Sequence, residues 1–197
     1  MRKMYSQVAV ANRFVRSLVV PGDLCVDATV GNGHDTCLLA DLVGKGGQVL
    51  GFDVQASALE RAQVALASKH LADQVELLKR GHESLGHELS QRGESEVKLV
   101  MFNLGYLPGS DKSVITHSDS TLQALEQSLA SLASNGAISI VAYRGHEGGD
   151  DEAQAVESWV QALPADAYFC FRYERWSNQR GLTPVFFWIR KRDNGIA

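Results

Sequence analysis

Two short segments combine polar side chains with glycines at spacings that could bind a ligand and do chemistry. In VDATVGNGHDT, Asp27 ends an apolar run and is followed by Gly31 and Gly33. Asp53 ends a second apolar run, in VLGFD. Carboxylates at strand ends can accept hydrogen bonds from amines or paired hydroxyl groups, and glycines let a ligand approach the backbone closely. The pattern indicates a small polar ligand, and the alternative is an ordinary glycine turn.

The spacing of the glycines separates two cofactor types. A dinucleotide site requires G-x-G-x-x-G, but Thr36 stands at the third glycine position. The pattern D-x-G-x-G-x-G, typical of S-adenosylmethionine (SAM) sites, fits Asp27, Gly31 and Gly33, with a threonine at the first glycine position. We expect Asp27 to take the ammonium of SAM, directly or through water. Gly31 and Gly33 would lie against its methionine part, and Asn32 would add a polar contact.

Two further strand ends complete the predicted cofactor site. Asp53 can accept hydrogen bonds from both hydroxyls of a ribose, and Gln55 lies close by in sequence. Gly81 and His82 follow the third apolar run, where the edge of an adenine would be read. The alternatives are a helix-capping or surface role for Asp53 and a structural role for His82.

The segment MFNLGYLPGSDK begins as a buried strand and breaks into a loop rich in glycine and proline. Its NLGY resembles, in end residues and spacing, a motif of amino-methyltransferases, in which an Asn or Asp is followed by two residues, often prolines, and then by an aromatic residue. Leu104 and Gly105 stand at the proline positions here. The resemblance implies that Asn103 lies beside the reactive methyl of SAM and orients a target nitrogen, and that Tyr106 stacks on a base. Asn103 and Tyr106 are therefore the predicted catalytic residues. For Asp111 and Lys112 we favour a role in holding the shape of this loop over direct catalysis, and contact with the substrate stays open as the alternative.

The loop after the fifth apolar run, AYRGHEGGDDE, supplies Tyr143 and His146 as candidates for the substrate side. The alternative for this loop is a glycine-rich turn before a helix. The histidines show no spacing typical of metal ligands, so no metal is expected.

Short apolar runs alternate with helical patterns along the chain. The predicted strands are 24–28, 48–52, 74–78, 97–102, 137–143, 167–176 and 184–191. The predicted helices are 34–43, 56–71, 119–133 and 150–163, with a further helix near the N-terminus. This alternation predicts a single α/β domain, 1–197, with a doubly wound, mostly parallel seven-stranded sheet and an antiparallel C-terminal strand. Ligands bind such sheets at the carboxyl ends of the strands, where the residues above are found.

Composition narrows the class of protein. The formal net charge of −4 argues against a generally basic nucleic-acid binder, although residues 1–20 and 169–192 are basic and could form a local patch. No apolar run is long enough to span a membrane, and no signal peptide is evident. The odd number of cysteines, without a CxxC pair, predicts buried thiols in a cytoplasmic protein. The aromatic C-terminal strands offer an edge for a homodimer.

Taken together, these motifs resemble the "putative rRNA methylase" family of class I SAM-dependent methyltransferases, which have a Rossmann-like fold. The resemblance rests on DATVGNGHDT, GFDVQ, FNLGYLPGSDK, YRGHEGG and a late Asn-Gln pair, which follow the family's order over about residues 8–191. It implies a SAM site at Asn32, Asp53, Gln55 and His82. It also places the Asn103–Lys112 loop, the Tyr143–His146 region and the pair Asn178 and Gln179 on the substrate side.

The family resemblance also implies a reaction. Members methylate the amine of 5-aminomethyl-2-thiouridine at the wobble position of the tRNA anticodon loop, giving 5-methylaminomethyl-2-thiouridine. Two alternatives stay open: a methyltransferase acting on rRNA or a small-molecule amine, and a module that binds SAM or RNA without turnover.

Overall fold

The computed structural model describes residues 5–94, 96–105, 116–175 and 183–193. At its centre is a seven-stranded sheet with the order β3-β2-β1-β4-β5-β7-β6. The strands are β1 (Leu24–Asp27), β2 (Gln48–Phe52), β3 (Val75–Leu78), β4 (Val97–Leu104), β5 (Leu132–Ala142), β6 (Tyr168–Tyr173) and β7 (Val185–Lys191). Strands β1 to β5 pair in parallel, whereas β7 pairs antiparallel with both β5 and β6. This confirms the predicted fold class.

The helices connect successive strands and cover both faces of the sheet. They are α1 (Gln7–Leu18), α2 (His34–Val43), α3 (Ala56–Ser68), α4 (Leu85–Arg92), α5 (Ser118–Ser131) and α6 (Gly149–Ala162). The sequence did not predict α4, because only Leu85 and Leu89, one turn apart, give it an apolar face. Both leucines are nonetheless buried. Gly93, with a φ of +69°, ends this helix in the left-handed conformation that glycine adopts most readily.

The sheet divides the hydrophobic core into two layers. On one face, Phe102 and Phe187 pack with residues of α4, α5 and α6. On the other face, Met101 and Phe186 pack with residues of α1, α2 and α3. Neighbouring residues of a strand point to opposite faces, so nearly continuous apolar strands are needed to fill both layers. This explains the apolar runs that identified the strands in the sequence.

The carboxyl ends of β1 to β5 lie along one edge of the sheet, which we call the carboxyl edge. Because β6 runs parallel to β5, it also ends there, whereas β7 ends at the opposite edge. Asp27, Asp53 and Asn103 therefore come together at the carboxyl edge, as the topology of a doubly wound sheet requires.

The two basic ends of the chain meet only in part. Phe14 of α1 packs on the C-terminal strands, with its ring centroid 5.4 Å from that of Phe171 and 5.2 Å from that of Trp188. Arg175 follows β6 at the carboxyl edge, but Arg190 lies near the end of β7, at the opposite edge. Among the described residues, the basic side chains of the C-terminal segment are thus divided between the two edges.

Two further expectations have different outcomes. Cys25 and Cys37 are buried free thiols as expected, but Cys170 is exposed, because it lies on the edge strand β6, where one side is uncovered. None of the helices in the described ranges is long and apolar enough to cross a membrane.

Candidate functional site

The carboxylate of Asp27 is completely buried at the end of β1. Its Oδ2 accepts a 2.6 Å hydrogen bond from the Thr36 hydroxyl, and its Oδ1 accepts a 3.1 Å bond from the Thr29 backbone N–H. Burial, followed by the negative charge of Asp35, raises the pKa of Asp27 to about 7. Thr36, which replaces the third glycine of a dinucleotide motif, therefore serves to hold this carboxyl group.

The glycines after β1 have different structural roles. Gly31 has a φ of +53° and donates its N–H to Oδ2 of Asp53 at 2.9 Å. Gly33 has a φ of +76° at the start of α2, where a Cβ would lie 2.8 Å from the Cα of Ala62 in α3. The packing of α2 on α3 therefore requires Gly33 whether or not a ligand is bound. Asn32 lies between these glycines and is partly exposed.

Asp53 joins the loops that follow β1 and β2. Besides the bond from Gly31, its Oδ1 accepts the backbone N–H of Gln55 at 2.9 Å. Each carboxylate oxygen can accept a second hydrogen bond, so Asp53 retains acceptor capacity for a hydroxylated ligand. Gln55 precedes the first residue of α3 and is half-buried. The two residues thus lie where the sequence placed them.

His82 is held in the protein core, with only 7% of its surface exposed. Its ring packs edge-on against Phe102 at a centroid distance of 5.7 Å, and burial lowers its pKa. The nearby backbone of Ala28 opposes part of this lowering of the pKa. These contacts favour a structural role for the His82 side chain, and an adenine approaching this loop would meet the backbone at Gly81 first.

Asn103 lies near the end of β4 and is tied to the loop after β1 by two hydrogen bonds. Its backbone N–H donates to the Thr29 hydroxyl at 2.7 Å, and its Nδ2 donates to Oδ2 of Asp35 at 2.8 Å. A carboxylate only accepts, so this bond turns the amide nitrogen toward Asp35 and leaves Oδ1 on the other side. Within the described residues, no hydrogen bond is made to Asn103 Oδ1.

The contacts of Asp35 and Thr29 with Asn103 were missed in the sequence. Both residues stand in the VDATVGNGHDT motif, but nothing in their spacing indicates contact with a residue so distant in the chain. An acidic side chain in the first turn of a helix, as Asp35 is in α2, is ordinarily explained by its interaction with the helix N-terminus. Burial raises the pKa of Asp35, while the bond from Asn103 opposes that rise.

The predicted substrate-side residues Tyr143 and His146 lie against the start of the loop that follows β4. Gly105 has a φ of +151°, and a Cβ there would lie 3.2 Å from Tyr143 Cβ and 3.3 Å from His146 Nε2. The backbone N–H of Tyr143 also donates to the carbonyl of Leu104 at 2.9 Å. The structure thus brings both residues against Gly105, two residues after Asn103. Tyr106, Asp111, Lys112, Asn178 and Gln179 lie outside the described residues.

Three carboxyl groups, Asp27, Asp35 and Asp53, face the same loops. None of them forms an ion pair with a lysine or arginine within the described part of the chain. Asp35 and Asp53 both act to raise the pKa of Asp27, so the three repel one another. A ligand carrying positive charge would relieve this repulsion, as the ammonium and sulfonium groups of SAM do. Nowhere in the described ranges are three or more His, Cys, Asp or Glu arranged to hold a metal ion.

Comparison with known proteins identifies relatives across most of the chain. Residues 49–190 match the family described as "Putative rRNA methylase". A chloroplastic tRNA (mnm(5)s(2)U34)-methyltransferase of Arabidopsis thaliana is 37% identical over 194 residues, covering 94% of this chain and 69% of that protein.

Solved structures give the same relationship. The "putative rRNA-methylase" of Clostridium thermocellum superimposes with a TM-score of 0.88 at 35% identity, covering 94% of this chain and 97% of that one. A "putative methyltransferase" from Streptococcus mutans, in complex with SAH, superimposes with a TM-score of 0.82 at 30% identity, with the same coverage. The glycine loop, the acidic strand ends and the sheet order described above therefore belong to a methyltransferase, and the chain is a member of the "Putative rRNA methylase" family.

Proposed function

We propose that this methyltransferase transfers the methyl group of SAM to the aminomethyl nitrogen of 5-aminomethyl-2-thiouridine at the tRNA wobble position, giving 5-methylaminomethyl-2-thiouridine. The A. thaliana relative, whose name specifies mnm(5)s(2)U34 in tRNA, supports this substrate. The reaction would form one N–C bond as one S–C bond breaks, with the sulfur keeping the electron pair and one N–H proton released to water. The products are the methylated nucleoside and SAH.

The observation that carries the proposal is the fixed orientation of Asn103. Because Asp35 holds its amide nitrogen at 2.8 Å, the amide oxygen is presented as an acceptor beside the start of the loop after β4. An amide oxygen can accept an N–H of a neutral amine and so direct the nitrogen lone pair toward the methyl group. It is too weak a base to take the proton, so Asn103 acts by orienting the amine.

The carboxylates at the strand ends suit the charge of the cofactor. When bound, SAM supplies a methyl group on a positively charged sulfur, which is already electrophilic. Asp27 and Asp35 would face its positive charges, and Asp53 retains acceptor capacity for the ribose hydroxyls. The residues present therefore fit SAM. We propose that the loops surrounding it are those that contain Asp27, Gly31, Asn32, Gly33, Asp53, Gln55, Gly81 and His82.

An RNA substrate suits the groups at the carboxyl edge. Arg175 is exposed there, directly before the segment that contains Asn178 and Gln179. Tyr143 and His146 lie against Gly105, two residues after Asn103, where an unstacked base could be held. Bases of an anticodon loop are accessible for such binding without melting a duplex, so Tyr106, Asp111 and Lys112 are included as proposed contacts to the nucleotide.

The test is to incubate the protein with SAM and tRNA that carries the aminomethyl group, followed by nucleoside mass spectrometry. We expect one wobble nucleoside to gain the mass of a CH2 group, and no gain with Asn103→Ala, which should still bind SAM. A gain on ribosomal RNA but not on this tRNA would reject the wobble assignment. Melting-temperature stabilisation by NAD but not by SAM would reject the methyl-transfer chemistry.

We further propose a cytoplasmic enzyme that forms a homodimer. The buried free thiols of Cys25 and Cys37 suit a reducing compartment. The edge strand β6 leaves half of the surface of Phe169 exposed and offers a surface for a second copy. Sedimentation of the wild type and of Phe169→Glu tests this surface, since only the wild type should sediment as a dimer.

A further inference from the structure

Glu152, in the first turn of α6, is a buried acid whose partners are hydroxyl groups. Only 2% of its surface is exposed. Its Oε1 accepts a 2.7 Å hydrogen bond from the Thr121 hydroxyl, and its Oε2 accepts a 2.6 Å bond from the Thr116 hydroxyl. Glu152 forms no ion pair with a lysine or arginine in the described ranges. A buried carboxyl group without a cation is costly, so its retention here calls for a role.

Glu152, Thr116 and Thr121 form a hydrogen-bonded cluster, and Thr116 connects it to the segment that carries Asn103. Thr116 Oγ1 accepts the backbone N–H of Gly105 at 2.9 Å, and the Thr116 N–H donates to the Gly105 carbonyl at 3.1 Å. Gly105 is two residues beyond Asn103 and follows the last residue of β4. The position of Thr116 therefore controls where the backbone leaves the strand after Asn103.

Thr121 connects the same cluster to the proposed cofactor side of the site. Thr121 Oγ1 lies 3.5 Å from Nε2 of His82, the residue that follows Gly81 after β3. Glu152 thus connects the segment after β4 to the loop after β3. Thr121 of α5 and Thr116 of the preceding segment meet at the carboxyl group of a residue of α6.

The directions of these hydrogen bonds explain why a carboxylate is required. The Thr116 hydroxyl has one hydrogen, which it donates to Glu152, so its lone pairs are left to accept the Gly105 N–H. A carboxylate accepts from both threonines at once. Glutamine has one acceptor oxygen and one donor NH2 group, so it can accept a hydrogen bond from only one of the two threonine hydroxyls in this arrangement. The other threonine must then reverse its hydroxyl or lose its bond.

We propose that Glu152 is a positioning residue for methyl transfer: through Thr116 it holds Gly105, and with it Asn103, where the amine of the substrate is oriented. This inference rests on the proposed function, because it concerns the same acceptor side of the site. Glu152 does not touch the reacting atoms. Its loss should therefore affect the rate of transfer more than the binding of SAM.

The test compares Glu152→Gln and Thr116→Val with the control Glu60→Gln, which makes the same charge change at an exposed position of α3. We expect the first two variants to lower kcat by about tenfold or more, with SAM affinity by calorimetry within about twofold of the wild type. The control should match the wild type. Equal kcat in wild type, Glu152→Gln and Thr116→Val would overturn the proposal.

A second measurement does not depend on activity and separates this inference from the proposed substrate. Hydrogen exchange of the Gly105 amide should speed up about tenfold or more in Glu152→Gln and Thr116→Val, while the slowest core amides keep the wild-type rate. Unchanged Gly105 exchange, or equal acceleration of all amides, would reject a local positioning role. If the wild type fails to methylate the tRNA but Gly105 exchange responds as expected, the proposed substrate is wrong and the positioning contact stands. Should Glu152→Gln not fold, Thr116→Val alone still gives both readouts.

Discussion

The Nδ2 of Asn103 donates a 2.8 Å hydrogen bond to Oδ2 of Asp35, which joins the fourth strand to the first turn of α2. This bond determines which face of the amide is presented at the carboxyl edge. Asp35 also lies close enough to Tyr143 for its charge to contribute, after burial, to raising the pKa of that phenol. One carboxylate thus affects both a proposed amine-orienting group and a proposed substrate contact.

Removing the Asp35 carboxylate should slow methyl transfer by misorienting Asn103. We expect Asp35→Ala to lower kcat by about tenfold to a hundredfold, since misplaced orienting groups cost that much. Asp35→Asn should lose less, because its amide oxygen can still accept from Asn103. Steady-state kinetics on the modified tRNA measure both effects. Equal rates for Asp35→Ala and the wild type would show that this bond does not orient Asn103.

The substitution Asp35→Asn should also change the pKa of Tyr143. Because the negative charge of Asp35 helps to raise the pKa of Tyr143, Asp35→Asn should lower that pKa. Ultraviolet absorbance of the phenolate, titrated in the wild type and in Asp35→Asn and corrected with Tyr143→Phe, checks the direction. If the pKa of Tyr143 stayed the same or rose, the negative charge of Asp35 would not be acting on this phenol.

Binding of SAM should depend on pH through Asp27. In the free protein its pKa is about 7, so below that pH a proton must leave before the carboxylate faces a cation. Affinity should therefore rise with pH by up to about tenfold per pH unit below about 7 and level off above it. Calorimetry in buffers of different ionisation enthalpy measures the released proton. Asp27→Asn should bind more weakly, with a flatter profile.

The stability of the protein without SAM should depend on pH in the opposite direction, because the contribution of Asp27 to it falls as pH rises. The pKa of Asp27 is raised from 3.8 in the reference state to about 7 in the fold, so the folded state binds more protons between these values. The contribution of this group to the free energy of unfolding is therefore greatest below about pH 4 and is lost as pH rises to about 7. Urea denaturation of wild type and Asp27→Asn across this range should show a smaller decline in the variant.

Gly33 should be irreplaceable because of helix packing. In Gly33→Ala the new methyl would collide with Ala62, on a backbone with φ of +76°, so we expect a loss of about 3 kcal/mol in the free energy of unfolding. Gly93→Ala is the matched control, since Gly93 has a φ of +69° and a Cβ there would have no other atom within 4 Å. This control should lose only about 1 kcal/mol.

Ala62→Gly provides a rescue for this pair. It removes the Ala62 Cβ, which the new methyl of Gly33→Ala would meet at 2.9 Å, but leaves the Cα at 2.8 Å. The double variant should therefore lose less stability than the sum of the single variants, with only part of the loss recovered. Denaturant unfolding of the four proteins in the cycle measures this coupling, and strict additivity would mean that the Cβ of Ala62 is not what makes Gly33 necessary.

Arg175 and Arg190 allow the RNA-facing edge to be tested with one type of change. Both are exposed, but Arg175 lies at the carboxyl edge and Arg190 toward the opposite one. If Arg175 contacts a phosphate, Arg175→Ala should weaken tRNA binding at low salt and reduce the dependence of log K on log salt by about 1. Arg190→Ala should leave both unchanged. Filter binding over a salt series distinguishes them, and the reverse pattern would place the RNA at the other edge.

Much of the architecture follows from local patterns in the sequence. Apolar runs predicted β1 to β5, because strands buried on both faces need an apolar side chain at nearly every position. Aromatic-rich segments predicted β6 and β7, although β6 lies at the exposed edge of the sheet. The helix α4 escaped prediction since two leucines, Leu85 and Leu89, are enough to anchor so short a helix. The acids and glycines of the proposed cofactor site stood out in the sequence because strand ends and tight turns impose residue types at fixed spacing.

The residues that orient the chemistry depend on contacts between distant parts of the chain. In the sequence, Asp35 is an acidic residue in the first turn of a helix, and Glu152 is one of several acidic residues at the start of another helix. Their contacts, with Asn103 in one case and with two threonines in the other, arise only when helices pack on the sheet. Gly33 is the reverse case, since a glycine expected for a ligand is also required by Ala62. Spacing along the chain specifies the backbone of a loop, but side-chain partners across the sheet edge are set by packing.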